Sequence, residues 1–139
     1  MQISIFLPCI AMVALTAVVW IRLYAERIGE IRQRRIKVQD LATTQQAATL
    51  LTRQNAANNF KNLFEVPLLF YLLCLALFVT QSVTPLLLAG AWLFVILRSL
   101  HSFIHCSYNR VMHRFMVYLL STILLFLMWV LFTVQLMMA

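Results

Sequence analysis

Acidic residues are almost missing from this chain of 139 residues: it carries 4 Asp and Glu against 11 Lys and Arg, and charged residues of both signs make up only 11%. A soluble domain has about 25% charged residues, so too few are present to keep an ordinary surface in water. Only 2 Gly and 3 Pro leave little material for the turns of an all-β fold. A lipid-facing barrel would need apolar and polar residues in alternation, and the long apolar runs do not alternate. The three cysteines, Cys9, Cys74 and Cys106, are an odd number without a pairing pattern. Cys9 and Cys74 lie in apolar runs and read as small core hydrophobes. Cys106 lies among polar residues, but no neighbouring base is spaced to activate it.

Hydrophobic residues make up 63%, and their grouping predicts an all-α integral membrane protein, a four-helix bundle in a single domain over residues 1–139. The expected spans are about 3–22, 62–80, 85–105 and 114–138. Each is long enough to approach the ~30 Å hydrocarbon core at 1.5 Å per residue. The first run lacks a basic leader and a small-residue cleavage site, so it reads as a retained helix. Pro67 predicts a bend or tilted entry at the start of the second span. The polar stretch 43–61 before it has good helix formers, so that helix is expected to begin well outside the membrane. Thr84 and Pro85 form a start signal for the third span, and Ala89, Gly90 and Ala91 give it a small-residue face for close packing.

The net charge of +7 would suit a nucleic-acid binder only if it were spread over a soluble surface. Instead Arg22, Arg27, Arg32, Arg34, Arg35, Lys37, Arg53 and Lys61 lie at or between the first two spans, and Arg98, Arg110 and Arg114 at or between the last two. All the basic residues therefore share one face. The positive-inside rule makes that face cytoplasmic and places both termini outside, in the inner or plasma membrane. Lipid headgroups, not nucleic acid, are the expected partners of this charge.

Some polar residues fall where hydrocarbon does not tolerate them. A charge there costs about 2.5–3.5 kcal/mol on insertion scales and needs a partner or water. Glu65 and Arg98 both fall at the basic end of their spans, where they can meet as a lock between helices or serve a ligand. Helical spacing groups the rest into three stripes: Asn58, Lys61, Asn62 and Glu65; Arg98, His101 and His105; and Arg110, Arg114 and Tyr118. Converging at one depth, they predict a pocket for an anionic ligand, with Arg32 reaching it from the first loop. His101 and His105 have a spacing that can clamp zinc, but no metalloprotease-type pattern surrounds them, and no metal is expected.

These residues resemble the MAPEG family, the membrane-associated proteins in eicosanoid and glutathione metabolism. Asn58, Asn62, Glu65 and Pro67 are similar to a family pattern of Arg, Asn four later, Glu three after that, and a nearby Pro. Arg98, His101 and His105 are similar to the third-helix stretch that carries an Arg and two ring-bearing ligand contacts. Arg114 and Tyr118 stand where the family places an Arg and a Tyr near the glutathione thiol. The resemblance implies a homotrimer with glutathione as co-substrate, bound between subunits near the basic face. It implies that Arg32, Asn58, Asn62, Glu65, Arg98, His101 and His105 bind glutathione, and that Arg114 and Tyr118 act on its thiol.

The activity implied is a glutathione-dependent transferase or peroxidase acting on a hydrophobic small molecule. Four departures stand against it: Asn58 in place of Arg, His105 where Tyr is common, Phe115 in place of a small hydroxyl residue, and Pro67 only two residues after Glu65, closer than in several branches. They keep open a non-catalytic relative that binds a lipid or a membrane partner.

Overall fold

The computed structural model describes residues 1–138, which are almost wholly helical. A short 3-10 turn, Gln2–Ile5, leads into α1, Phe6–Arg34. A second 3-10 turn, Val38–Leu41, precedes α2, Thr44–Leu50. α3, Asn55–Asn62, is followed by α4, Val66–Val79, and then by α5, Pro85–Cys106, and α6, Val111–Met138. Four stretches are long and apolar enough to cross a membrane: Gln2–Arg34, Asn55–Val79, Pro85–Cys106 and Val111–Met138.

α1 has 29 residues and is therefore about 44 Å long at 1.5 Å per residue, longer than the ~30 Å core. Its apolar run stops before Arg22, so the turns carrying Glu26, Arg27, Glu30, Arg32 and Arg34 project beyond the hydrocarbon. Arg32 and Arg34 lie in the last turn, where cations complement the helix dipole. The helix stops at Arg35 in the left-handed conformation, φ 52°, and the Ile36 N–H donates back to the Ile31 carbonyl.

Glu30 ties the projecting end of α1 to the following loop. Its Oε1 accepts from the Thr52 N–H (2.8 Å), the Thr52 hydroxyl (2.7 Å) and Arg34 (2.8 Å), and its Oε2 from the Arg53 N–H (3.2 Å). The polar stretch expected to lead continuously into the second span is in fact two short helices. α2 opens on a capping box in which Thr43 and Gln46 exchange backbone bonds. It ends before Leu51, whose extended backbone directs the chain to Glu30.

The second span is broken as well. Pro67 has no N–H to donate to the Leu63 carbonyl and its ring crowds that turn. Helix α3 therefore ends at Asn62, and α4 restarts at Val66 with Pro67 in its first turn. At the opposite end, Thr84 accepts from the Leu87 N–H at 3.3 Å and starts α5. There the N-terminus docks on the α4–α5 turn, with Gln2 donating to the Gln81 carbonyl (3.0 Å) and accepting from the Val83 N–H (3.1 Å).

The core between the helices contains Met12, Phe70, Leu73, Leu77, Leu87, Phe94 and Leu125. Phe70 and Phe94 stack at 4.5 Å between ring centres. Since lipid is as apolar as leucine, close fit rather than exclusion of water holds such helices together. Gly90 shows this fit: a Cβ there would lie 3.1 Å from the Met128 sulfur. Leu68, Leu72, Leu75, Ile123, Phe126 and Val130 remain exposed on the outer faces, as lipid-facing residues do.

Candidate functional site

Where the second span breaks, the Asn62 carbonyl keeps only a long bond from the Glu65 N–H, at 3.4 Å. An under-satisfied backbone group is costly in apolar surroundings, and a side chain from the next span supplies a second donor. Arg98, fully buried on α5, donates from Nη2 to the Asn62 carbonyl at 2.9 Å. The same guanidinium lies 5.4 Å from the ring centre of Tyr118 on α6, a cation–π distance. One arginine therefore supports the break in the second span and an aromatic residue of the fourth.

On the other side of Asn62 and Tyr118 is a cleft of about 230 Å³, lined by Asn62, Glu65, His101, Val111, Arg114, Phe115 and Tyr118. Glu65 is an exposed carboxylate at the break, and its side chain does not cap α4. Arg114 sits half-buried in the first turn of α6 and donates from Nη1 to Asn109 Oδ1 at 2.7 Å. Nδ1 of His101 lies 3.2 Å from the Arg114 carbonyl. A carbonyl only accepts, so Nδ1 carries the proton and Nε2 of a neutral ring is left as an acceptor. His101 also packs edge-on to His105 at 5.7 Å and against Tyr118 at 5.7 Å.

Among the residues expected from sequence, Asn62, Glu65, His101, Arg114 and Tyr118 come together in this cleft. Arg98 and His105 do not line it. Both are buried behind it, with Arg98 Nε and Nη1, His101 Nε2 and His105 Nδ1 lacking a partner among the described residues. Asn58 is exposed on α3 and Arg32 on the projecting end of α1, and neither lines the cleft of its own chain. The expected Glu65–Arg98 ion pair is not made. Among the described residues the ion pairs are Arg22–Glu26 and Arg34–Glu30. Glu65 is exposed at the break, and Arg98 Nη2 donates to the Asn62 carbonyl instead. His, Cys, Asp and Glu form no group of three that could hold a metal among the described residues.

A network of asparagines, missed in the sequence, supports the cleft from the basic side. Asn59 is fully buried, accepts from the Ser102 hydroxyl at 3.2 Å and donates to the Cys106 sulfur at 3.5 Å. Asn55 accepts from Asn109 at 3.1 Å, and Asn109 accepts from Arg114. Their signal was the i, i+4 spacing of Asn55 and Asn59, one face around from Asn58 and Asn62. On the α1 side of the same break lies an apolar groove of about 440 Å³, whose walls include Trp20, Phe60, Phe64 and Tyr71.

Outside the hydrocarbon, Glu30 is the titratable group the fold perturbs most clearly. The Thr52 hydroxyl and N–H, and then Arg34 and the Arg53 N–H, hold its carboxyl down to about 2 against the opposing effect of burial.

With the four spans and the cleft in place, the family match is decisive: the MAPEG family matches residues 5–134. The chain belongs to the MAPEG family. No curated protein and no solved structure matches it. As a MAPEG protein it is a multi-pass integral membrane protein of the family of eicosanoid and glutathione metabolism.

Proposed function

We propose that this MAPEG protein is a membrane-bound, glutathione-dependent transferase or peroxidase acting on a hydrophobic electrophile at the cytoplasmic face of the inner or plasma membrane. The observation that carries the reading is the cleft itself, in which Glu65 and Arg114, charges of opposite sign, line one polar space without pairing to each other. Glutathione offers the complementary groups: an ammonium for Glu65, a peptide bond for the Asn62 amide, and a thiol that becomes an anion beside Arg114. With both ends of the chain outside, the positive-inside rule puts the cleft within reach of cytosolic thiol.

A nearby cation lowers a thiol pKa and raises the thiolate fraction, which is the species that attacks. In this reading the Arg114 guanidinium holds the thiolate and the Tyr118 hydroxyl donates to the sulfur or the leaving group. With a carbon electrophile, sulfur forms a thioether as the leaving group departs with its electron pair. With a hydroperoxide, sulfur takes the terminal oxygen and releases an alcohol. A second glutathione then forms the disulfide and water.

Glutathione also carries two carboxylates, and among the described residues Arg114 is the only Arg or Lys lining the cleft. Arg32, exposed and uncommitted to its own cleft, supplies the missing cation if an adjacent copy brings it there. This supports the homotrimer as part of the proposal.

A second reading, a non-catalytic protein that binds a lipid or a membrane partner, is favoured by exposed, neutral Asn58 at the position where the resemblance has Arg. Turnover of glutathione with a hydrophobic electrophile separates the two. Arg114→Ala should lower kcat/KM about 100-fold, as loss of a preorganised charge contact does, without preventing folding. Equal turnover in wild type and variant would remove Arg114 from the chemistry. No turnover in the wild type with any electrophile would favour the second reading.

A further inference from the structure

Asn109 stands between the last turn of α5 and the first turn of α6, and its backbone is fixed there. It adopts the left-handed conformation, φ 46°, and its N–H donates to the Ile104 carbonyl at 2.8 Å. Its side chain is fixed too. Nδ2 donates to Asn55 Oδ1 at 3.1 Å, which turns Oδ1 toward Arg114, where it accepts from Nη1 at 2.7 Å.

Arg114 needs such a hold. It lies in the first turn of α6, where the helix dipole disfavours a cation, and a long side chain at the membrane boundary would otherwise extend to the headgroups. A carboxylate could also hold it, but would neutralise it. None lies within ion-pair distance of Arg114 among the described residues. An amide oxygen restrains the guanidinium and leaves its full charge for a ligand. On the backbone side the His101 ring holds the Arg114 carbonyl, so the residue is restrained at both ends.

We infer that Asn109, set by Asn55, is a positioning residue that directs the Arg114 guanidinium into the cleft and thereby sets the affinity of the cleft for an anionic thiol. The affinity part rests on the glutathione reading above, whereas the positioning part does not. Asn55 begins the helix that ends at Asn62, so the device also ties Arg114 to the amide expected to bind the same ligand.

The test uses the full chain in detergent with Asn109→Gly and Asn109→Asp. Glycine accepts the left-handed backbone without strain and removes only the amide. Aspartate keeps an acceptor but adds a neutralising charge. Two quantities are read: the rate at which phenylglyoxal modifies Arg114, by peptide mass spectrometry, and the dissociation constant for glutathione. Asn109→Gly should speed modification several-fold and Asn109→Asp should slow it. Each should weaken glutathione about tenfold, the scale of one charge-assisted contact. An unchanged modification rate in Asn109→Gly would overturn the positioning role. Faster modification with unchanged glutathione affinity would overturn the link to affinity. A wild type that binds no glutathione, while the modification rates move as expected, would overturn the glutathione reading and leave the positioning role established.

Discussion

Arg98 and Asn62 meet at 2.9 Å, guanidinium to backbone carbonyl, across two membrane-spanning segments. The contact gives a fully buried cation an acceptor in place of a carboxylate: the broken helix presents a carbonyl to Nη2, and Tyr118 presents the face of a ring. Both partners also line the cleft, so Arg98 shapes a site it does not enter.

Arg98→Ala should therefore lower stability and loosen the cleft together. A hydrogen bond to a charged group contributes roughly 1.5–3 kcal/mol and a desolvated cation–π contact up to about 2. Removing a buried charge offsets part of this. A net loss of about 2 kcal/mol is expected in detergent unfolding. A variant as stable as the wild type would show that the contact does not support the break.

Pro67→Ala restores the N–H whose absence stops α3 from continuing into α4. The two helices should then fuse, turning Glu65 relative to Asn62 and dismantling the cleft, while stability changes by less than about 1 kcal/mol because a helical bond replaces a break. Circular dichroism and ligand binding measured together check this. Higher helicity with undiminished ligand binding would contradict the role given to the break.

Glu30 makes the loop sensitive to acid. Its carboxyl titrates near 2 in the folded protein, below the usual ~4.3 of glutamate in an unfolded chain. The stabilisation is therefore full above the unfolded value and is lost as pH falls from there through about 2. Protection of the Thr52 and Arg53 amides, corrected for the intrinsic pH dependence of exchange, should fall over that window. Glu30→Gln should show lower protection at neutral pH and little further change in protection on acidification. A wild-type loop whose protection is flat down to pH 2 would refute the tether.

Gly90 tests the closeness of α5 and α6. Gly90→Ala gains helix propensity of about 1 kcal/mol and crowds only the flexible Met128 side chain, so the net effect should be small. Gly90→Leu cannot fit and should cost about 1–3 kcal/mol, as overpacking does. Thermal unfolding of the two variants reads the difference, and equal stability would mean that the helices separate easily.

The four spans were legible because each is a long, mainly apolar run with basic residues only toward one end. Asn62, Glu65, His101, Arg114 and Tyr118 could be grouped because helical spacing puts residues on a common face. Spacing does not say which way a face turns once a helix breaks, and so Glu65 and Arg98 were paired although the break at residues 63–65 separates their side chains. Pro67 announced a disturbance, but whether a proline bends or interrupts a helix depends on what holds the backbone at the break, here Arg98 on the Asn62 carbonyl, from 36 residues away. The pairing of Asn55 with Asn109 was illegible for a similar reason. Their partnership depends on the left-handed turn at Asn109, which the residues 107–110 do not advertise.

Thermal unfolding of the purified protein against glutathione, with oxidised glutathione and glutamate as controls, asks most directly whether the cleft is a glutathione site. At 100 times its dissociation constant a ligand that binds only the folded state adds about 2.7 kcal/mol of apparent stability. A saturating rise with glutathione, absent in Arg114→Ala, is the expected result. No rise at several millimolar glutathione would contradict the glutathione reading, leaving the helical fold and its family membership untouched.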